Sequence, residues 1–302
     1  GEYMLNFKPI TLKNVSSFLP YFKCQNFRTC DFTIAGTFMW RKYFYTEYDI
    51  YNNMLLFKVT YINGVVAFTF PSGCGSVDEA LSQLEDYAHE NNIPLAFGVV
   101  PEKGLEVLKN RYGDKINVSE SRDWFDYLYY KEDMQTFKGR KFHTQKNHFN
   151  KFKKLYPDYK YVPLCSDNIE KVIKFFDEFA TEHEKDNPIA KEESFRTKEI
   201  LPYYQRLGLF GGFIEVDNNI AAFSIGETIG DTLFVHIEKA LREYEGSYQA
   251  MVKEFAANTA GDKVKYINRE EDTGDLGLRK SKLAYRPVAL LKKYFVKVEN
   301  NK

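Results

Sequence analysis

Ile214-Glu-Val-Asp-Asn-Asn-Ile-Ala-Ala-Phe223 reads as a β-strand, an Asn-rich tight turn and a second strand that opens on apolar residues. The same grammar occurs earlier, at Lys58-Val-Thr-Tyr-Ile-Asn-Gly-Val-Val-Ala-Phe68. Asn63 then aligns with Asn218 and Phe68 with Phe223, 155 residues apart in each case, or about half of a 302-residue chain. That offset points to an internal duplication, in keeping with a length that suits two domains of roughly 150 residues.

Outward from the two hairpins, each half runs in the same order of helices, antiparallel strands, helix, strand and a closing helix and strand. In the first half the pattern predicts helices over 14–23 and 31–43 and strands over 55–61 and 65–71. A capping box, Ser76-Val-Asp-Glu79, starts a helix to about Glu90. A strand over 94–100, a helix over 102–111 and a strand over 125–130 follow. In the second half the expectation is helices over 167–183, 195–206, 247–260 and 276–283, with strands over 209–216, 220–227, 232–238, 264–268 and 288–298. Neither a sustained βα alternation nor an all-β spacing is present, so the fold class is mixed α+β. The predicted organisation is one unit over 1–135, a basic connecting helix over 136–154 and a second unit over 155–302.

Composition gives little reason to expect an anionic partner, since 42 Lys and Arg balance 42 Asp and Glu. The balance is uneven along the chain. Lys138, Arg140, Lys141, Lys146, Lys151, Lys153 and Lys154 fall within one stretch that contains no acid, a local anion-seeking feature inside a neutral protein. No apolar run is long enough to span a bilayer and no basic leader precedes an apolar stretch, so the expectation is a cytoplasmic chain without a transmembrane segment. Cys24, Cys30, Cys74 and Cys165 show no metal-binding spacing. They are expected to be buried reduced thiols, with neither a zinc site nor a disulfide framework.

Four segments carry candidate chemistry. On a helix over 138–154, Phe142, Phe149, Phe152 and Tyr156 share one face, while Arg140, His143, Asn147, Asn150, Lys151 and Lys154 lie away from it. Arg140, Lys146 and Lys151 would supply charge to a phosphate, and His143, Asn147 and Asn150 hydrogen-bond donors. A solvated face whose Lys stems cover apolar surface gives the same pattern. On the strand Thr232–Lys239, alternation puts Phe234, His236 and Glu238 on one face, a base and its neighbour or simply a hydrogen-bonded pair. Arg242 and Gly246 follow at a strand-to-helix turn whose free N–H groups suit an anion. In the segment Ile267–Pro287, Glu270, Glu271 and Asp272 lack a calcium-loop spacing, so no metal is expected. Acids before the helix and the cations Arg279, Lys280 and Lys282 in its last turns suit the helix dipole; the other arrangement is an internal ion-pair network in which Asn268, Glu271 and Arg279 set the floor of a site.

Gly139–Phe152, Asn268-Arg-Glu-Glu-Asp-Thr-Gly-Asp-Leu-Gly-Leu-Arg-Lys-Ser-Lys-Leu-Ala-Tyr-Arg-Pro287 and Lys293-Tyr294 resemble signature segments of the phosphatidylglycerol lysyltransferase C-terminal family. The resemblance spans nearly the whole chain. It implies two tandem GNAT-like acyltransferase domains, related to the Fem-type aminoacyltransferases, and transfer of an aminoacyl group from charged tRNA to a lipid head group. It further implies a site lined by Phe234–Glu238 and the Gly246 turn, with His236, Glu238, Glu271 and Arg279 as the catalytic set and Asn268 and Lys282 at its wall. The basic helix would meet tRNA or anionic phospholipid. The Q/R-x-x-G-x-G/A loop that holds acetyl-coenzyme A in GNAT enzymes is not matched, because Arg242 stands four residues before Gly246 and Tyr248 ends the motif. A coenzyme A cofactor is therefore not expected. A non-catalytic module that binds an anionic ligand, and an acetyl-coenzyme A-dependent N-acetyltransferase, are the alternatives.

Overall fold

The computed structural model describes residues 3–300. The chain divides into two compact units. One holds the residues up to Asp126, Glu271–Asp275 and the segment from Leu290 onward; the other holds Tyr127–Glu270 and Leu276–Ala289.

In the first unit β1 (Lys8–Pro9) leads into the short helices α1 (Leu12–Val15), α2 (Leu19–Lys23) and α3 (Ile34–Met39). Strands β2 (Glu47–Tyr51), β3 (Met54–Thr60), β4 (Val66–Thr69) and β5 (Ser72–Gly73) follow, then α4 (Val77–Glu90), β6 (Ala96–Pro101), α5 (Glu102–Tyr112) and β7 (Ile116–Glu120). Asn52 and Asn53 both hold left-handed backbone, φ 43° and 63°, which closes the β2–β3 hairpin with a twist that suits paired strands. Ser76 caps α4 by accepting the Glu79 N–H at 3.2 Å. The reciprocal half of the expected capping box is not made, because the Glu79 carboxylate accepts instead from Asn52 Nδ2 at 3.5 Å. The sheet order is β1-β2-β3-β4-β6, then β15 (Lys293–Val298), then β7. Only β4 and β6 run parallel, and only over Phe68↔Phe97 and Thr69↔Gly98. Leu56, Phe68, Leu81, Leu84, Phe97, Leu108 and Val296 fill the core beneath the sheet.

The second unit takes in β8 (Asp126–Tyr130) from Tyr127 onward, then α6 (Lys131–Thr136), α7 (His143–Leu155), β9 (Lys160–Pro163), α8 (Ile169–His183) and α9 (Pro188–Ile200). Next come β10 (Phe210–Val216), β11 (Asn219–Ile229), β12 (Thr232–Ala240), α10 (Ser247–Thr259), β13 (Tyr266–Asn268), α11 (Leu276–Ala284) and β14 (Ala289–Leu291). Its sheet runs β14-β8-β13-β12-β11-β10-β9. Again there is a parallel pair, β12 with β13 over Thr232↔Tyr266, Leu233↔Ile267 and Phe234↔Asn268, after which β12 leaves β13 and continues to Ala240 paired with β11. The mixed α+β class holds, with a mostly antiparallel sheet in each unit.

The two sheets repeat one another strand by strand. Each has antiparallel strands, one short parallel pair (β4 with β6, β12 with β13), a helix after each member of that pair, and two further strands beyond it, the first of them antiparallel. This equivalence places β3–β4 opposite β11–β12. The 155-residue alignment, which matched the β3–β4 turn to the β10–β11 turn, is one strand out of register, because adjacent hairpins in one sheet share the same alternation and turn chemistry.

The units also exchange their closing strands. β15, from the end of the chain, lies between β6 and β7, and β8, from the end of the first half, lies between β13 and β14. Cuts at 135 and 155 therefore differ from the observed division, which gives 127–135 to the second unit and 271–275 and 290 onward to the first. For the same reason the single strand expected over 288–298 is two strands in two different sheets, β14 and β15. Strands β2, β7 and β9 were not anticipated. β7 is exposed along most of its length and carries no alternation to read.

The cysteine expectation is corrected. Cys24 and Cys74 form a disulfide, with Cα atoms 5.2 Å apart, that ties α2 to the segment before α4. Of the two free thiols, Cys30 is buried and Cys165 exposed. Fifty residues separate the bonded pair, and spacing of that kind gives no signal of connectivity.

Candidate functional site

The divergence of β12 from β13 is where the second unit concentrates its buried charge. His236 projects from β12 beyond the last paired residue, Phe234, and its ring stacks near-parallel to that of Phe234 at 6.5 Å. Its Nε2 lies 2.8 Å from Glu227 Oε1 on β11, and its Nδ1 lies 2.9 Å from Glu270 Oε1 beyond β13. Burial pulls the imidazole toward neutrality, but the two carboxylate hydrogen bonds and their charges outweigh it and hold its pKa at about 10. Both ring nitrogens donate, so His236 is an imidazolium at neutral pH with no lone pair to offer. The general-base role expected for it does not fit this geometry. A fixed positive charge does.

The turn after β13 is built to present that carboxylate. Glu270 adopts φ 65°, in the left-handed region, and its N–H donates to Asn268 Oδ1 at 2.7 Å. Asn268, fully buried, thus acts as a turn former rather than as a wall facing open space. Burial raises the Glu270 pKa and the neighbouring His236 charge opposes the rise.

Between them, Arg269 turns into the divergence of the two strands. Its Nε donates to Glu238 Oε1 at 2.8 Å and its Nη2 to the Tyr248 hydroxyl at 2.9 Å. The guanidinium lies 4.3 Å from the Tyr285 ring centroid and 5.2 Å from that of Tyr129, within range of cation–π attraction. Lys282, buried on α11, donates its ammonium to the Arg269 carbonyl. The cavity that remains, about 10 Å³ lined by Glu238, Arg269, Leu233, Val235 and Ile267 among others, has room for one water molecule. Arg269 Nη1, buried and with no hydrogen-bond partner among the described residues, is a suitable donor to it.

Glu271 does not join this group. It belongs to the first unit, where Lys293 gathers the acids: its Nζ stands 2.8 Å from Asp126 Oδ1, 2.9 Å from Asp31 Oδ2 and 3.7 Å from Glu271 Oε2. Cys30 completes the cluster, with Sγ 3.4 Å from Glu271 Oε1 and 3.5 Å from the Lys293 ammonium. Burial disfavours the Lys293 charge, but Asp126 and Asp31 reverse the effect and carry its pKa well above the ordinary value. Burial and the neighbouring carboxylates push the Cys30 thiol up, away from the reactive thiolate. Cys30, Asp126 and Glu271 present donor atoms within 4.8 Å of one another, a grouping able to hold a metal ion. The Lys293 ammonium supplies the cation there.

The basic helix matches its expected facing. Phe142, Phe149 and Phe152 are buried, while Arg140, His143, Lys146, Asn147, Asn150 and Lys151 are all exposed. Asn147 Nδ2 lies 3.1 Å from His143 Nε2, and Lys151 pairs with Glu245 at 2.7 Å. Gly246 has φ 85°, and an added Cβ would meet the His148 carbonyl oxygen at 2.6 Å. It lets α10 start hard against α7 instead of opening an anion-facing turn. Arg242 is exposed beside it, and Arg279 is half-buried on α11.

Residues 23–297 match the phosphatidylglycerol lysyltransferase C-terminal family. The chain belongs to that family. Phosphatidylglycerol lysyltransferase C-terminal folds are close to this one: the L-PGS structure from Bacillus licheniformis aligns over 99% of this chain and 95% of its own with a TM-score of 0.67 at 12% identity. A conserved protein of unknown function from Bacteroides thetaiotaomicron is nearer, with 31% identity, a TM-score of 0.91 and coverage of 98% of this chain and all of that one. A curated relative, an uncharacterised protein of Mycoplasmoides gallisepticum, is 25% identical over 196 residues. That match spans 64% of this chain and 62% of the relative, less than two thirds of its length. No described helix is long and apolar enough to cross a membrane.

Within this phosphatidylglycerol lysyltransferase-like fold, the sequence singles out His236, Glu238, Asn268 and Lys282 but not the groups they contact. Glu227, Arg269, Glu270, Asp126 and Lys293 were missed as site residues. Glu227 carried a usable signal, as an acid near the end of the otherwise apolar or small run Ile220–Gly226.

Proposed function

We propose that the protein is an aminoacyltransferase that moves an aminoacyl group from charged tRNA to a hydroxyl or amine acceptor, with a lipid head group as the favoured acceptor. The observation that carries this reading is membership, over residues 23–297, of a family named for lysyl transfer to phosphatidylglycerol. Attack of the acceptor oxygen or nitrogen on the ester carbonyl builds negative charge on the carbonyl oxygen. Expulsion of the tRNA ribose oxygen then needs a proton. The second unit supports such chemistry with a preorganised cationic interior. His236, Arg269 and Lys282 are each fixed by at least one hydrogen bond to a carboxylate or carbonyl oxygen. Glu238 orients Arg269, and Asn268 sets the turn that brings Glu270 to His236. Arg279 and Glu271 remain candidates for the catalytic set, and Arg140, His143, Lys146, Asn147, Asn150, Lys151 and Arg242 for the phosphates of the donor.

The loop after β12 departs from Q/R-x-x-G-x-G/A, with Arg242 four residues before Gly246 and Tyr248 at its last position. That favours a donor other than a coenzyme A thioester. The exposed cations of α7 also favour a second reading, a module that binds an anionic polymer without turning it over. Incubation with radiolabelled lysyl-tRNA and phosphatidylglycerol, followed by lipid extraction, separates them. Label in the lipid fraction supports transfer; salt-sensitive tRNA binding with no label moved to lipid, to amines or to water supports the module and overturns the proposal.

A further inference from the structure

Helix α11 is inside out. At 100° per residue Leu276, Lys280, Leu283 and Ala284 share one face, and that face looks outward: Leu276 is 75% exposed and Leu283 41%. The opposite face carries Lys282, only 6% exposed, whose ammonium is spent on the Arg269 carbonyl. A helix that buries its lysine and shows its leucines leaves apolar area in water that ordinary packing would cover. Two exposed leucines two turns apart, with a lysine between them, make a short apolar stripe with a cation in it.

Apart from Asp275, exposed at its start, the stripe lies in a basic segment. Arg286 is exposed just past the end of α11, and no acid occurs from Leu276 to Arg286. Gln145 Nε2 of α7 reaches the Ala284 carbonyl at 3.4 Å, and the Phe137 and Tyr285 rings pack at 5.9 Å. These contacts bring the chain leading into α7, with exposed Arg140 and Lys141, beside the end of α11. Two basic segments far apart in sequence thus flank one apolar stripe. RNA has use for the cations and none for the leucines. A second copy docking by the same face would set cations against cations. An anionic phospholipid surface satisfies both, because it takes leucines at the acyl boundary and lysine or arginine at the head groups.

We infer that the outer face of α11, flanked by Arg286 and the start of α7, docks the protein on an anionic lipid surface. The inference deepens the transfer reading and rests on it for the choice of a lipid acceptor, while its test reads binding alone. The full chain is floated with vesicles of phosphatidylglycerol and phosphatidylcholine, and with phosphatidylcholine alone. The expected result is salt-sensitive binding to the anionic vesicles only. Leu276→Ser with Leu283→Ser lowers that binding about tenfold, and Lys280→Gln with Arg286→Gln lowers it and flattens its salt dependence, with melting temperatures unchanged because all four side chains are exposed. In a second variant, Leu283→Trp, the indole is quenched by lipids brominated on the acyl chain. Undiminished vesicle binding by the Leu276→Ser/Leu283→Ser chain, an unquenched Leu283→Trp, binding of tRNA but not of vesicles, or a dimer that the leucine changes dissolve would each overturn the inference. Vesicle binding without transfer removes the transferase reading and leaves the docking surface; transfer to detergent-dispersed lipid without vesicle binding removes the docking surface alone.

Discussion

Nε2 of His236 lies 2.8 Å from Glu227 Oε1, across two neighbouring strands and between side chains that are almost wholly buried. With Glu270 on the other ring nitrogen, this holds the imidazole charged up to about pH 10. A histidine whose folded pKa is raised stabilises the fold fully below its unfolded pKa, and that contribution is lost as pH rises through the folded value. Urea unfolding should therefore show stability near its plateau at pH 6 and falling between about pH 6.5 and 10, on the order of 3 to 5 kcal/mol for a shift of this size. The His236→Gln chain should be less stable at pH 6 and nearly flat over the same window. A wild-type profile level up to pH 10 would show that the ring is not held as an imidazolium.

A second consequence concerns Lys293. Its ammonium is the common partner of Asp126, Asp31 and Glu271 and contacts Cys30 Sγ. Replacing it by Met leaves buried carboxylates without their cation, and removal of one partner from such a cluster costs about 3 to 5 kcal/mol. The Lys293→Met chain should regain part of that loss on acidification, as the carboxylates become neutral, and differential scanning calorimetry at pH 5 and 8 reads it. Glu271→Gln keeps the volume and removes the most distant of the three carboxylates, so it should shift the melting temperature little. If it abolishes transfer with the melt unchanged, Glu271 acts in the reaction; a large fall in melting temperature would make it structural.

The fold was readable where periodicity is local. Phe234 and His236 on one face of β12 and the aromatic face of α7 stand as the spacing requires, because the neighbours that decide them lie within one element; Glu238 does not continue that face, because the β11–β12 register shifts at His236 and sets it with Leu233 and Val235, beside Arg269. The partners were not readable. Glu227, Arg269 and Glu270 reach His236 and Glu238 from other strands, and a single sequence does not fix cross-strand register. The closing strands show the same limit on a larger scale: 125–130 and 288–298 look like strands from their composition, but nothing in them says that each belongs mainly to the sheet of the other half.

The Cys24–Cys74 bond closes a loop of fifty residues, for which the chain-entropy estimate is about 4 kcal/mol. Alkylation of the denatured, unreduced protein should label only Cys30 and Cys165, and reduction should expose all four thiols. Cys74→Ser should lower the stability of the first unit by about 2 to 4 kcal/mol. Four labelled thiols before reduction would remove the bond from the account of this fold.

The α7–α10 contact gives the last test, and it separates packing from anion binding at Gly246. With φ 85° and the His148 carbonyl oxygen 2.6 Å from where a Cβ would stand, Gly246→Ala is strained both in its backbone and against α7. It should cost on the order of 1 to 3 kcal/mol. Gly139, φ 103° with nothing within 4 Å of its Cβ position, meets only the backbone penalty, so Gly139→Ala should cost less than Gly246→Ala. tRNA affinity, read by filter binding across a salt series, should instead follow the exposed cations: Lys146→Gln with Lys154→Gln should lower the salt slope by about 1 to 2 while leaving the melt unchanged. If Gly246→Ala weakens tRNA binding with no loss of stability, the turn faces the anion after all and the packing explanation falls.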